Sequence, residues 1–213
     1  MLDYIVIGSG PSGLIVNGEL SKANLKGLCL EKGKFIKSKI EDVYTANQII
    51  NGYKKSGLNP LIGMPPLLLS DGECLGGGST LNSSLHHRVP KSIWNKWIVK
   101  YNLQNFSYEE AKDLYEEIER LFSCSLGSSE MPKFYKSASN SMKVERIPRW
   151  GYHKNGNFER KTAYDVAIEH YPESINNINT GVEVIKIIKD KDNTFRILCK
   201  EKKFKNKKFK KLE

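Results

Sequence analysis

The sequence predicts an α/β fold built on a parallel, doubly wound sheet, and three observations carry that reading. Tyr4-Ile5-Val6-Ile7 is an apolar run of strand length, and Gly8-Ser9-Gly10-Pro11-Ser12-Gly13 follows it as a G-x-G-x-x-G. Leu14 to Ala23 then reads as a helix and Gly27 to Glu31 as a second short strand, which closes a βαβ unit. Far downstream, Phe195, Ile197 and Cys199 alternate in strand fashion after the β-branched stretch Ile178 to Ile188, so an antiparallel β element is expected near the C-terminal end.

Each part of the first unit has a physical reason. Gly8 turns the chain off the strand, Gly10 leaves room for backbone amides to approach a pyrophosphate, and Gly13 lets helix and sheet pack closely. The unpaired amides and positive dipole end of the helix would face the anion. Glu31 follows Gly13 by 18 residues, close to the spacing of a carboxylate that holds ribose hydroxyls. A carboxylate there repels a 2′-phosphate, so NADP is disfavoured. Glycine loops also arise as plain turns, but strand, helix, second strand and acid together favour a dinucleotide. The motif does not separate FAD from NAD. Asn17 departs from the pattern, standing where a small residue usually faces the sheet; the adjacent Gly18 is the substitute.

The 213 residues carry a net charge of +10, with 39% hydrophobic and 27% charged residues, an ordinary globular composition that does not point to a disordered or fibrous chain. Residues 200–213 hold eight lysines and two glutamates, so +6 of the charge is local and only +4 is left for the rest. The lysine run from Lys200 to Lys211, with Phe204 and Phe209 interleaved, reads as a solvated end. No nucleic-acid fold accompanies it, so no nucleic-acid partner is expected. Cys29, Cys74, Cys124 and Cys199 lie far apart with no C-x-x-C pair, as in a reduced, cytoplasmic protein without a zinc site or disulfide framework. Leu58 to Leu69 is too short and too proline-rich to span a bilayer, and the opening residues are strand rather than signal peptide.

From Lys34 to Ser56 the chain is polar with weak helical periodicity, and Gly57 to Pro66 is broken by glycine and proline. Asp71 to Arg88, DGECLGGGSTLNSSLHHR, offers bare amides and hydroxyls leading into a helix-like segment. Lys91 to Tyr101 is an amphipathic helix, and a second begins at Ser107 with a capping-box pattern. Trp94, Trp97 and Trp150 are expected in a core or an interface. Gly127 to Arg160 reads as loop, Thr162 to His170 as helix, and Ile178 to Ile188 as a strand pair or a strand after a turn.

The two glycine loops in this order resemble the N-terminal part of the glucose-methanol-choline (GMC) oxidoreductases, flavoproteins that oxidise alcohols. Gly8 to Gly13 with Leu30-Glu31-Lys32-Gly33 is similar to that family's ADP-binding unit. Leu75-Gly76-Gly77-Gly78-Ser79-Thr80-Leu81-Asn82, with Arg88 beyond it, resembles its first signature, and Thr180-Gly181-Val182-Glu183-Val184 the later strand whose main chain touches adenine. The Gly-Gly-Gly-Ser form is nearest to the long-chain alcohol and sterol oxidase branch.

The resemblance implies a partial Rossmann-like FAD-binding core with a helical excursion. Residues 1–33, about 71–90 and 160–213 would belong to the core; 34–70 and 91–159 would form an excursion toward a substrate domain. It implies FAD contacts from Gly8, Gly10, Pro11, Ser12, Gly13, Glu31, Lys32, Gly76, Gly77, Gly78, Ser79, Asn82 and Val184. Some members attach FAD to a histidine just before the signature asparagine. Here that position is Leu81, so non-covalent FAD is implied, with a small-molecule alcohol as substrate. The family's C-terminal catalytic pair has no counterpart among these residues, so the chain is expected to be an incomplete enzyme, inactive alone and without a catalytic residue of its own. The alternatives are a non-catalytic flavin- or nucleotide-binding remnant or subunit, or another class of FAD-dependent oxidoreductase, though the second G-x-G-x-x-G of a two-dinucleotide enzyme is missing. Adjacent His86 and His87 read as side chains on opposite sides, at least one of them solvated, rather than a reactive pair; Arg88 reads equally as a phosphate ligand or an ion-pair partner.

Overall fold

In the computed structural model, residues 1–37, 44–103, 106–126, 146–192 and 194–201 are described. They fall into two compact units, one of residues 1–82 with 162–213 and one of residues 83–161.

The first unit is built on a three-stranded parallel sheet in the order β1 (Tyr4–Ile7), β2 (Gly27–Glu31), β7 (Ile178–Thr180). Side chains alternate across a strand, and both faces are covered. Val6 and Cys29 face helix α1 (Pro11–Lys22), which starts at Pro11, three residues before the expected Leu14, because proline is tolerated where no intrahelical N–H is needed. A Cβ on Gly13 would collide with the Gly8 carbonyl and stand 3.4 Å from Val6, which is the close strand-to-helix packing expected of that glycine. On the opposite face Leu30 packs with Val182 and Ile197, and Ile5 and Leu28 join them. Those partners come from the antiparallel hairpin of β8 (Val182–Lys189) and β9 (Phe195–Glu201).

Helix α6 (Ala163–His170), capped by a reciprocal Thr162–Asp165 box, packs against α1 and is followed by a 3-10 turn at Pro172–Asn177. Gly18 gives the Tyr171 ring its place, since any Cβ there would strike it. Asn17 is fully buried and satisfied: it donates to the Ser174 carbonyl at 3.2 Å and accepts from the Tyr4 hydroxyl at 3.1 Å. The polar departure at Asn17 therefore ties β1, α1 and the 172–177 turn together. Shorter elements complete the unit: α2 (Ala46–Gly52), the ribbon β3 (Pro60–Leu61) with β4 (Leu67–Leu68), and the single turn α3 (Gly78–Leu81).

In the second unit, α4 (Lys91–Tyr101) and α5 (Tyr108–Leu121) are the two amphipathic helices of the sequence, and the Ser107–Glu110 capping box forms as expected. Trp94 is buried against Phe106 and Tyr108, whereas Trp97 stays 39% exposed and is not a core residue. Residues 151–160 correct the loop reading: β5 (Gly151–Lys154) and β6 (Asn157–Arg160) form a hairpin about Asn155-Gly156, both at positive φ. Residues 127–145, the Asn206 turn and the lysine run beyond Glu201 lie outside the described residues.

Candidate functional site

The two glycine loops meet. The Gly76 N–H donates to the Ser9 carbonyl at 3.0 Å. A Cβ on Gly77 would come within 3.0 Å of Gly10 Cα, and Gly77 holds φ at +54, where side chains are disfavoured. A glycine at this position thus satisfies both a close approach of two backbones and a left-handed turn.

Beside this junction lies a cavity of about 410 Å³. Its wall takes Gly8 and Gly10 from the first loop, Gly77 and Gly78 from the second, Glu31 and Lys32 from the end of β2, and Val184 from β8. These are seven of the thirteen site residues expected from the sequence. Pro11, Ser12 and Gly13 form the first turn of α1 behind Gly10. Gly76 and Ser79 brace the second loop, and Asn82 is exposed at the end of α3, outside the cavity wall. The wall also includes Gly72, Val182 and Glu183, which sequence reasoning missed. Gly72 and Glu183 sit inside stretches already singled out, but only the fold brings them to one cavity.

An added Cβ on Gly10 or Gly78 would meet no protein atom within 4 Å. These two glycines are therefore not required by packing; the space they leave open is in or beside the cavity. Gly10 also caps α1 without a side-chain bond, so the first amides of that helix lack a side-chain cap.

The hydroxyls of the second loop serve the loop itself. Ser79 Oγ donates to the Gly76 carbonyl at 2.6 Å and accepts the Ala163 N–H at 3.0 Å, while Thr80 Oγ1 donates to the Leu75 carbonyl at 2.8 Å. Leu81, 2% exposed, packs with Tyr53 and Cys74.

Glu31 is 7% exposed and anchored on three donors. Its Oε2 accepts from the Ser9 N–H at 2.9 Å and the Ser9 hydroxyl at 2.7 Å, and its Oε1 accepts from the Gly33 N–H at 2.6 Å. Next to it Lys32 lies 3.0 Å from both Glu73 and Glu183, which hold its ammonium above the usual lysine range. This triad links β2, the approach to the second loop, and β8. Burial, with Glu31 nearby, pushes the Cys29 thiol up to about 12.

In the second unit Arg88 is an ion-pair residue. It donates to Glu119 through Nε and Nη2, each at 2.6 Å, and His86 Nε2 lies 2.8 Å from the same carboxylate. The Arg88 guanidinium, with His86, holds the Glu119 carboxyl at about 2. His86 is buried and His87 exposed, so one of the pair is solvated as expected for adjacent histidines. Among the described residues no cluster of three His, Cys, Asp or Glu could hold a metal ion, and no helix is long and apolar enough to cross a membrane.

Comparison with known proteins gives a consistent picture. Residues 2–161 match the family described as GMC oxidoreductase. An uncharacterised GMC-type oxidoreductase of Sinorhizobium fredii is 30% identical over 58% of this chain and 25% of its own length. A long-chain-alcohol oxidase of Arabidopsis thaliana is 28% identical over 69% of this chain and 20% of its own length. The chain thus spans a quarter or less of these relatives. Among solved structures, a FAD-dependent oxidoreductase from Chaetomium thermophilum superposes with a TM-score of 0.71 at 15% identity, over 94% of this chain and 42% of that one. Pyridoxine 4-oxidase from Mesorbium loti gives a TM-score of 0.65 at 15% identity, over 94% and 46%. Both share the fold.

Proposed function

The chain belongs to the GMC oxidoreductase family, and from that premise we propose that it is the FAD-binding part of an enzyme that oxidises alcohols. The observation that carries this reading is the junction of the two glycine runs, joined by the Gly76–Ser9 hydrogen bond beside a cavity that Glu31 also lines. The open space at Gly10 and Gly78 fits a group that must come against bare amides, as a diphosphate does. At about 410 Å³ the cavity is of ligand-pocket size.

In this reading Gly8, Gly10, Pro11, Ser12 and Gly13 present the diphosphate with the N-terminus of α1. Gly76, Gly77 and Gly78 meet it from the other side, with Ser79 and Asn82 contributing from α3. Glu31 takes the ribose, while Lys32 and Val184 frame the adenosine end. FAD is held without a covalent bond, because buried Leu81 offers no nucleophile where some relatives attach it. Bound flavin would supply the hydride acceptor for an alcohol carbon. In this reading the base that takes the hydroxyl proton is supplied from outside these residues, and the chain does not turn over alcohol alone.

Similarity to long-chain-alcohol oxidases supports a long-chain alcohol as the substrate. All four cysteines are free, which fits a reducing compartment and supports a cytoplasmic location.

The test is an absorbance spectrum of the purified chain followed by acid precipitation. A flavin spectrum with yellow colour released to the supernatant is the expected result. A colourless chain that does not take up added FAD would overturn the binding assignment, colour retained in the pellet would overturn non-covalent attachment, and alcohol oxidation by the isolated chain would overturn its incompleteness.

A further inference from the structure

At the end of β2 the sequence sets two opposite charges side by side, and both Glu31 and Lys32 line the cavity. A carboxylate at the adenosine ribose repels a phosphate on that sugar, whereas a free ammonium on the next residue would attract one. On the strand alone the two side chains oppose each other over whether a phosphorylated ribose is accepted.

The fold resolves the conflict with two residues from elsewhere in the chain. The Lys32 ammonium lies 3.0 Å from Glu73 Oε2 and 3.0 Å from Glu183 Oε1, so two of its three donors are turned to carboxylates. Backbone bonds set both partners in place. The Leu75 N–H donates to the Lys34 carbonyl at 3.1 Å and the Gly181 N–H to the Gly33 carbonyl at 2.9 Å, so the segments carrying Glu73 and Glu183 are each tied to the residues just after Lys32. A Cβ on Gly33 would collide with the Glu73 carbonyl, so close is that approach. Glu183 itself lines the cavity, between Val182 and Val184. With Glu31, three carboxylates stand against one ammonium, and this end of the cavity is negative in spite of its lysine. At 22–35% side-chain exposure such ion pairs add little stability; their larger effect is on what the ammonium is free to bind. All of these groups belong to the first unit and pair within it.

We propose that Glu73 and Glu183 are specificity residues of the cavity: they withhold the Lys32 ammonium from phosphate, so that adenosine nucleotides with an unmodified ribose enter and those phosphorylated at the 2′ or 3′ hydroxyl are rejected. The assignment rests on the reading of the cavity as the FAD site, and it adds to the repulsion by Glu31 the disarming of a neighbouring cation.

The experiment is displacement of FAD from the chain by ADP and by ADP carrying an additional phosphate on its 2′ or its 3′ hydroxyl, read by flavin fluorescence. The wild type should prefer ADP to both phosphorylated forms by at least about tenfold. Glu73→Gln with Glu183→Gln releases Lys32 and should narrow that preference about tenfold for at least one of the two forms, with the gain shrinking as salt rises. Adding Lys32→Met should return the preference to within about threefold of the wild type. A wild type that takes the phosphorylated forms as readily as ADP, a preference unmoved by the two glutamines, or a gain that survives the loss of Lys32 overturns the proposal. Urea unfolding is followed on each variant; should the paired substitution fail to fold, Glu183→Gln alone is expected to narrow the preference about threefold, and no change there overturns the proposal as well. ADP that displaces FAD with the preference unmoved ends this inference alone, whereas a chain that takes up no FAD, or one from which ADP displaces none, ends the FAD-site reading together with it.

Discussion

Ser9 and Glu31, 22 residues apart, share one carboxylate oxygen: Glu31 Oε2 accepts both the Ser9 N–H at 2.9 Å and the Ser9 hydroxyl at 2.7 Å. With the Gly33 N–H on Oε1, three of the roughly four acceptor positions of the carboxylate are filled. One position on Oε1 remains open to the ribose proposed above. Binding of ADP, 2′-deoxy-ADP and 3′-deoxy-ADP should therefore show one analogue weakened by about tenfold and the other within about twofold of ADP. In Ser9→Ala an Oε2 position opens, and both hydroxyls should then count. Equal losses for the two analogues in the wild type would show that ribose displaces the Ser9 hydroxyl.

Gly10, Gly78 and Gly77 separate ligand space from packing. A Cβ on Gly10 or Gly78 enters open space, and one on Gly77 enters the Gly10 backbone. Gly10→Ala and Gly78→Ala should keep stability within about 1 kcal/mol of the wild type while lowering FAD affinity by at least about tenfold. Gly77→Ala, at φ +54, should lose about 1–3 kcal/mol of stability as well. Denaturant titration beside flavin fluorescence quenching measures both; affinity unchanged in the first two variants would remove the diphosphate from these loops.

The first loop, helix and second strand were legible because their constraints are local: a strand, a turn that needs glycine, a proline-tolerant helix start, and Glu31 at the right separation. Long-range consequences were not. That Ser9 would engage Glu31, or that Glu73 and Glu183 would clasp Lys32, depends on which segments the fold brings together. Ile178 to Ile188 was rightly seen as extended, but no periodicity reveals that β7 joins β2 in parallel while β8, past Gly181, pairs with β9. The 151–160 hairpin is a different case. Asn155-Gly156 is a strong two-residue turn signal, and it went unread because the flanking Tyr152, His153, Phe158 and Arg160 do not alternate cleanly. Arg88 illustrates a choice the sequence left open: Glu119, 31 residues away, takes the guanidinium through both of its oxygens.

The buried thiols give a chemical check on the sheet. Cys29 and Cys74 are 0% exposed, and the Cys29 thiol is pushed up to about 12, by burial first and Glu31 second. Neither should react with iodoacetamide in the native chain at pH near 8, since both thiols lack access and burial also keeps Cys29 protonated. Mass mapping after a native pulse should find them unmodified and should find them labelled once denaturant is added. Native labelling of Cys29 would mean that β2 is not covered by α1.

Arg88 and Glu119 predict an acid-dependent contribution to stability. The carboxyl is lowered from 4.5 to about 2 by the Arg88 guanidinium, with His86 adding to it. A depressed folded-state value means that the pair's contribution is fully present above the unfolded value, near 4.5, and is lost as pH falls through about 2. Arg88→Met should cost about 1–3 kcal/mol at neutral pH, because two charge-assisted hydrogen bonds are lost and Glu119 keeps only His86. Arg88→Lys should recover part of that, since an ammonium cannot present two parallel donors. The gap between wild type and Arg88→Met in urea unfolding should narrow steadily between pH 4.5 and 2. A gap that stays constant across that range would assign the effect to lost packing over Tyr115, whose ring centroid lies 5.9 Å from the guanidinium carbon, rather than to the charge on Glu119.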